Sequence, residues 1–105
     1  MKYRFEKNSG VLTVQISGEL DHHNSAPLRT AIDNEFISSG ARSMIIDLSQ
    51  LELMDSSGIG LVMGRYKLLS EFNGTLEVTG LSNNAYKVMR LAGLDRIATI
   101  KKGGK

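Results

Sequence analysis

Two adjacent serines, Ser56 and Ser57, follow an acid, Asp55, and open a glycine-studded apolar segment, "MDSSGIGLVMGRYKLL". Hydroxyls in that setting have three uses: as a helix cap, as a catalytic nucleophile or as a phosphate acceptor. A nucleophilic serine needs a base within hydrogen-bond reach and an oxyanion site. His22 and His23 are the two imidazoles in the chain, and the G-x-S-x-G elbow is absent. "GIGLVMG" departs from G-x-G-x-x-G, and no Gly-Lys-Ser/Thr follows it, so neither a dinucleotide fingerprint nor a P-loop is present. The paired histidines of "ELDHHNS" lack a set of further metal ligands. Catalysis by this chain is not expected. The enzyme alternative, Ser57 as a nucleophile, would show as labelling by a serine-reactive probe.

A phosphate acceptor is the sharper reading and a plain cap the simpler one. Asp55 and Ser56 are both good N-cap types. Ser57, one residue on, would sit where the first N–H groups of a helix and the positive end of its dipole converge, a place that tolerates a phosphoryl group. With Ser57 at zero and about 100° per residue, Ile59, Val62, Met63, Tyr66 and Leu69 form one stripe, expected to face the core. Ser57, Leu61, Gly64 and Leu68 gather on the opposite side, with Arg65 about 80° away. That second ridge either packs on a neighbouring helix or docks another protein, and periodicity does not choose between them.

The elements that must hold these residues follow from pattern. "YRFEK" and "VLTVQIS" alternate around Asn8-Ser9-Gly10 and read as a hairpin. "NSAPLRTAIDNEFIS" has helical spacing through Leu28, Ala31, Ile32, Glu35 and Phe36, with Ser25 expected as N-cap and Pro27 in the first turn. "RSMIIDLS" is a nearly continuous apolar run, expected to be a strand covered on both faces. A helix from Ser57 to Phe72, the strand "TLEVTG", a capped helix "SNNAYKVMRLAG" and a last strand "RIATI" complete the order β-β-α-β-α-β-α-β. This alternation implies an α/β fold, a mixed and mostly parallel sheet with an N-terminal β-hairpin.

At 105 residues the chain makes one domain, taken as residues 1–100 with a basic flexible tail over 101–105. The formal charge of +2 is an effect of that tail: without Lys101, Lys102 and Lys105, ten basic side chains face eleven acidic ones. No basic stripe for nucleic acid is evident, and six aromatic residues offer little for base stacking. There is no cysteine, no apolar run near the length of a membrane span and no signal-peptide core, so a cytoplasmic protein is expected.

The stretch "MDSSGIGLVMGRYK", preceded by "MIIDLSQLEL", resembles the signature of the STAS domain, and the likeness runs from Leu12 to about Ile100. Within that superfamily the chain resembles bacterial anti-sigma factor antagonists, and "GELDHHNSAPLR" with "GRYK" points to the sporulation branch acting on sigma-F. The resemblance implies a single STAS domain that works as a partner switch. Its unphosphorylated form would bind an anti-sigma factor that is also a serine kinase, and so free sigma. The kinase would then phosphorylate it and a serine phosphatase would reset it.

By the family's motif the acceptor is Ser57, with Ser56 its neighbour. Asp21 matches an acidic loop residue that meets a basic partner side chain, although a turn aspartate would read the same. Gly58, Gly60, Leu61, Gly64, Arg65 and Leu68 would complete the partner-binding surface. No cofactor is expected of the chain itself, since ATP, ADP and Mg²⁺ would belong to the kinase. Relatives commonly continue into a further helix where this chain reads "KKGGK". The alternatives are a general-stress or other sigma pathway, and a STAS module that senses a small ligand or nucleotide.

Overall fold

The computed structural model describes residues 1–103. Strands β1 (Lys2–Asn8) and β2 (Val11–Leu20) form the expected hairpin. Ser9 and Gly10 both have positive φ, 51° and 80°, the backbone that lets a two-residue loop follow the twist of its strands. Helix α1 (His22–Ser39), β3 (Ser43–Met54), α2 (Ser57–Glu71), β4 (Leu76–Leu81), α3 (Asn83–Leu91), a 3₁₀ turn (Leu94–Arg96) and β5 (Thr99–Lys102) follow. The sheet runs β1-β2-β3-β4-β5 in chain order; β1 is antiparallel and the remaining pairs are parallel. The α/β class, the element order and the mixed sheet agree with the reading of the sequence.

Crossovers of one hand between successive neighbouring strands stack all their helices on one face of the sheet. Leu12, Val14 and Ile16 of β2, with Met44, Ile46 and Leu48 of β3, are buried on that face beneath Leu28, Ile32 and Phe36 of α1 and Val62 and Leu69 of α2. Each fully buried aliphatic side chain contributes about 1.5–3 kcal/mol. Thr13, Gln15, Ile45, Asp47, Glu77 and Thr79 occupy the alternate positions and stay half-buried. The expectation that β3 is covered on both faces is therefore corrected: Ile45 makes its run look continuous, but helices cover one side. On the open side Arg4 Nε donates to Gln15 Oε1 at 2.9 Å, and Lys101 pairs with Glu77 at 3.3 Å.

Other boundaries differ too. Helix α1 starts at His22, capped by Asp21, so Ser25 is a buried helical residue and Pro27 lies in the second turn. Asp21 wins because Asn24 returns the bond: its side chain accepts from Asp21 N at 2.9 Å, closing a capping box. The last strand is Thr99–Lys102 rather than "RIATI", so Lys101 and Lys102 belong to the sheet and not to a tail. Gly103 N–H donates to Leu81 O at 2.8 Å. The remainder of the expected tail, 104–105, lies outside the described residues. After α2, Gly74 passes so close to the residue preceding β3 that an added Cβ would lie 1.7 Å from Arg42 O, and this fixes the helix exit.

Candidate functional site: a serine at the start of a helix

Parallel β2 and β3 end together, Leu20 opposite Met54, so α1 and α2 begin side by side at the carboxyl edge of the sheet. Asp55 ties the two starts. Its N–H donates to Leu20 O at 3.1 Å, and its Oδ2 accepts from His22 N–H at 3.2 Å. Its Oδ1 accepts from Ser57 N–H at 2.8 Å and also from the Ser57 hydroxyl. These bonds, the Ser57 hydroxyl first and then the Ser57 and His22 N–H groups, hold the Asp55 carboxyl below its ordinary value. It is therefore ionised through the neutral range.

Ser56 has helical backbone angles and makes no side-chain capping bond; the capping side chain is that of Asp55, which accepts from Ser57 N–H. The first N–H groups of α2 are already occupied: Ser57 N–H by the Asp55 carboxylate, Gly58 N–H by Asp55 O and Ile59 N–H by Ser56 O. The anion-favouring place at this helix start thus holds the chain's own carboxylate. Beside it, Asp21 Oδ1 accepts from His23 N–H and Asn24 N–H at 2.9 and 3.0 Å, while its side chain stays half-exposed. His22 and His23 are exposed on the first turn of α1, and among the described residues no cluster of His, Asp or Glu is suited to a metal.

The face of α2 that meets solvent is rotated about 80° from the one periodicity indicated. Gly58, Leu61, Val62, Arg65 and Leu69 are buried, whereas Gly60, Met63 and Lys67 are exposed and Ser57 and Gly64 half-exposed. This corrects several expected docking residues. Leu61, 1% exposed, is core, and Leu68 packs half-buried against it. A Cβ on Gly58 would strike Met54 Sδ at 2.3 Å, so that glycine serves internal packing.

Arg65 is also interior, 5% exposed. Its Nε lies 2.8 Å from Asp33 Oδ1 on α1, and its two terminal nitrogens donate to Asp33 Oδ2 at 3.2 Å and to Leu61 O at 3.3 Å. Burial lowers the Arg65 proton affinity, and the neighbouring Asp33 carboxylate partly restores it. At Gly60 and Gly64, by contrast, an added Cβ would meet nothing within 4 Å. The two glycines leave a flat, open strip running from Ser57 along the helix.

One feature of this edge escapes sequence reading. β3 continues past its last pairing with β4, Asp47 with Thr79, and carries Leu51, Leu53 and Met54 out over the start of α3. An apolar cleft of about 410 Å³ results, with Asp55, Ser56, Ala85 and Val88 also in its wall. The alternation of Leu51 and Leu53 after the polar Ser49-Gln50 is the signal that marks it.

The STAS domain family model matches residues 2–103. The chain is 34% identical to the anti-sigma F factor antagonist of Paenibacillus polymyxa, over 95% of this chain and 86% of that one. It is 27% identical to the anti-sigma-B factor antagonist of Listeria monocytogenes, over 91% and 83%. It also superposes on the anti-sigma factor antagonist SpoIIAA in its unphosphorylated form with a TM-score of 0.82 at 28% identity, covering 94% of this chain and 87% of that one. For the Bacillus cell fate determinant SpoIIAA in the phosphorylated form the TM-score is 0.75, again at 28% identity, covering 94% and 90%.

Proposed function

From the premise that the chain belongs to the STAS-domain family, we propose that it is an anti-sigma factor antagonist switched by phosphorylation of Ser57. It acts as a regulatory binding protein and not as an enzyme. Unphosphorylated, it binds an anti-sigma factor that is also a serine kinase and so frees the sigma factor, sigma-F of sporulation. The kinase, with its own ATP and Mg²⁺, phosphorylates Ser57 and the complex parts; a serine phosphatase restores the hydroxyl. The observation that carries this reading is Ser57 itself: a half-exposed hydroxyl at a helix start, beside the open strip of Gly60 and Gly64, in a chain 34% identical to a sigma-F antagonist.

Phosphate suits the off signal on electrostatic grounds. It brings a charge of about −1.5 to −2 to a position where the Asp55 carboxylate already holds the helix N–H. At the interface it would also face the nucleoside diphosphate and the metal that remain with the kinase after transfer. A like-charge or steric conflict of about 3 kcal/mol lowers affinity by roughly a hundredfold. The half-exposed Asp21 carboxylate, adjacent to the acceptor across the two helix starts, suits a basic side chain of the same partner.

The test is intact-mass analysis after mixing with the sporulation anti-sigma kinase and ATP, with Ser57→Ala alongside. One added phosphate on the wild type and none on the variant is expected. In a binding titration Ser57→Ala holds the kinase and Ser57→Asp binds poorly; equal affinities would sink the mechanism. The 27% identity to a sigma-B antagonist supports a second reading, the general stress pathway. Phosphorylation by that pathway's kinase, and not by the sporulation kinase, would establish it.

A further inference from the structure

Building on Ser57 as the acceptor, we propose that Asp55 is a working part of the phosphorylation reaction, supplied by the substrate protein: it aims the Ser57 hydroxyl and takes its proton. The geometry distinguishes the two serines. The Ser57 hydroxyl donates to Asp55 Oδ1, while Ser56 makes no capping bond with its side chain. Asp55 is itself fixed at three points: its N–H on Leu20 O, its Oδ2 on His22 N–H and its Oδ1 on Ser57 N–H. The last strand turn of β2, the first residue of α1 and the first residue of α2 therefore determine where the Ser57 oxygen sits.

The step balances without any further reactant beyond the kinase's nucleoside triphosphate and divalent cation. Ser57 Oγ forms a bond to the γ-phosphorus. The bond from that phosphorus to the β–γ bridging oxygen breaks, and its electron pair leaves on the nucleoside diphosphate. The Oγ proton passes to Asp55 Oδ1 along the hydrogen bond already present, and from this exposed carboxyl to water. An ionised carboxylate on the acceptor oxygen fits a transfer in which the nucleophile needs positioning and a late proton sink. After transfer the ester oxygen has no proton to donate, so Asp55 keeps its bond to Ser57 N–H and loses the one to Oγ.

The experiment compares wild type, Asp55→Asn and Asp55→Ala with the cognate anti-sigma kinase and Mg²⁺–ATP, measuring kinase affinity without nucleotide, kcat and KM for the antagonist, and the site of phosphorylation by fragment-ion mass spectrometry. Asparagine keeps an oxygen to accept from Ser57 but cannot take the proton; its amide nitrogen also cannot accept from His22 N–H, so any loss of aim is read separately, as phosphate on Ser56. We expect its Kd to stay within about twofold and its kcat to fall by at least about tenfold. Asp55→Ala loses the aim as well, so its kcat falls further and phosphate appears on Ser56 besides Ser57. A kcat within about twofold of wild type for Asp55→Asn overturns the proposal, as does a loss confined to Kd and KM, which would make Asp55 a docking or loop residue. Failure of the wild type to accept phosphate would be a different result, overturning the assignment of Ser57 itself.

Discussion

Replacing Asp21 by asparagine and by alanine separates two roles that one carboxylate combines. In the folded chain Oδ1 accepts from His23 N–H and Asn24 N–H, and Asn24 returns a bond to Asp21 N–H. Alanine removes the first two bonds, which costs about 1 kcal/mol for an N-cap, within a range of about 0.5–2. At this chain length that lowers Tm by about 4–8 °C per kcal/mol. Asparagine caps as well as aspartate, so its Tm stays within about 2 °C.

Binding separates the variants differently. A half-exposed carboxylate opposite a partner cation lies between a rim contact and a buried pair, and we expect about 1–2 kcal/mol from its charge, a rise in Kd of roughly five- to thirtyfold. Asparagine should show that loss with the fold intact, and alanine should show it together with the lower Tm. The assays are thermal melts followed by calorimetric titration with the anti-sigma kinase. Wild-type affinity in Asp21→Asn would refute the docking role and leave Asp21 as a cap. A wild-type Tm in Asp21→Ala would refute the capping account.

Gly64→Ala fills open space on α2, so the folded chain should gain up to about 1 kcal/mol from helix propensity while kinase affinity drops; unchanged affinity would remove the glycine strip from the interface. Arg65→Met should destabilise by about 1–3 kcal/mol, because it leaves Asp33 without its partner between two helices, discounted for the 32% exposure of that carboxylate side chain. Chemical denaturation checks the stability. Kinase affinity of the folded Arg65→Met protein should match wild type, and a selective loss of binding would return Arg65 to the interface.

The order of elements was legible because each carries a local signal: alternation in β1 and β2, a capping serine at Ser82, a left-handed glycine at Gly93. The phase of α2 was not. The stripe through Ile59, Val62, Met63, Tyr66 and Leu69 competes with Leu61 and Leu68 on the other side, so apolar side chains run almost all round the helix, and the structure buries Leu61 while exposing Met63. What set the rotation was invisible in one dimension: Arg65 enters the interior because Asp33, 32 positions away, meets it there. Gly58 is buried because Met54 needs its space. The start of α1 was missed for a similar reason. Asp21 and Ser25 are both capping types, and the reciprocal bond from Asn24 decided between them. Ser57 was singled out by its place in the motif, whereas the convergence of Asp55 on both helix starts required the pairing of β2 with β3.

A sheet whose spatial order is its chain order also imposes a timetable. Each strand pairs with its immediate predecessor, so every closure spans a single connection and none waits for a distant segment. As the chain leaves the ribosome, the β1–β2 hairpin and α1 are available before β3 arrives, and β3 has a template at once. The grip of Asp55 on Leu20 and His22 comes into being only when β3 is seated in register on β2. A nascent or slipped chain therefore exposes the same serine in a mobile, unaimed form. The geometry in which Ser57 is presented thereby reports that β2 and β3 are paired in register.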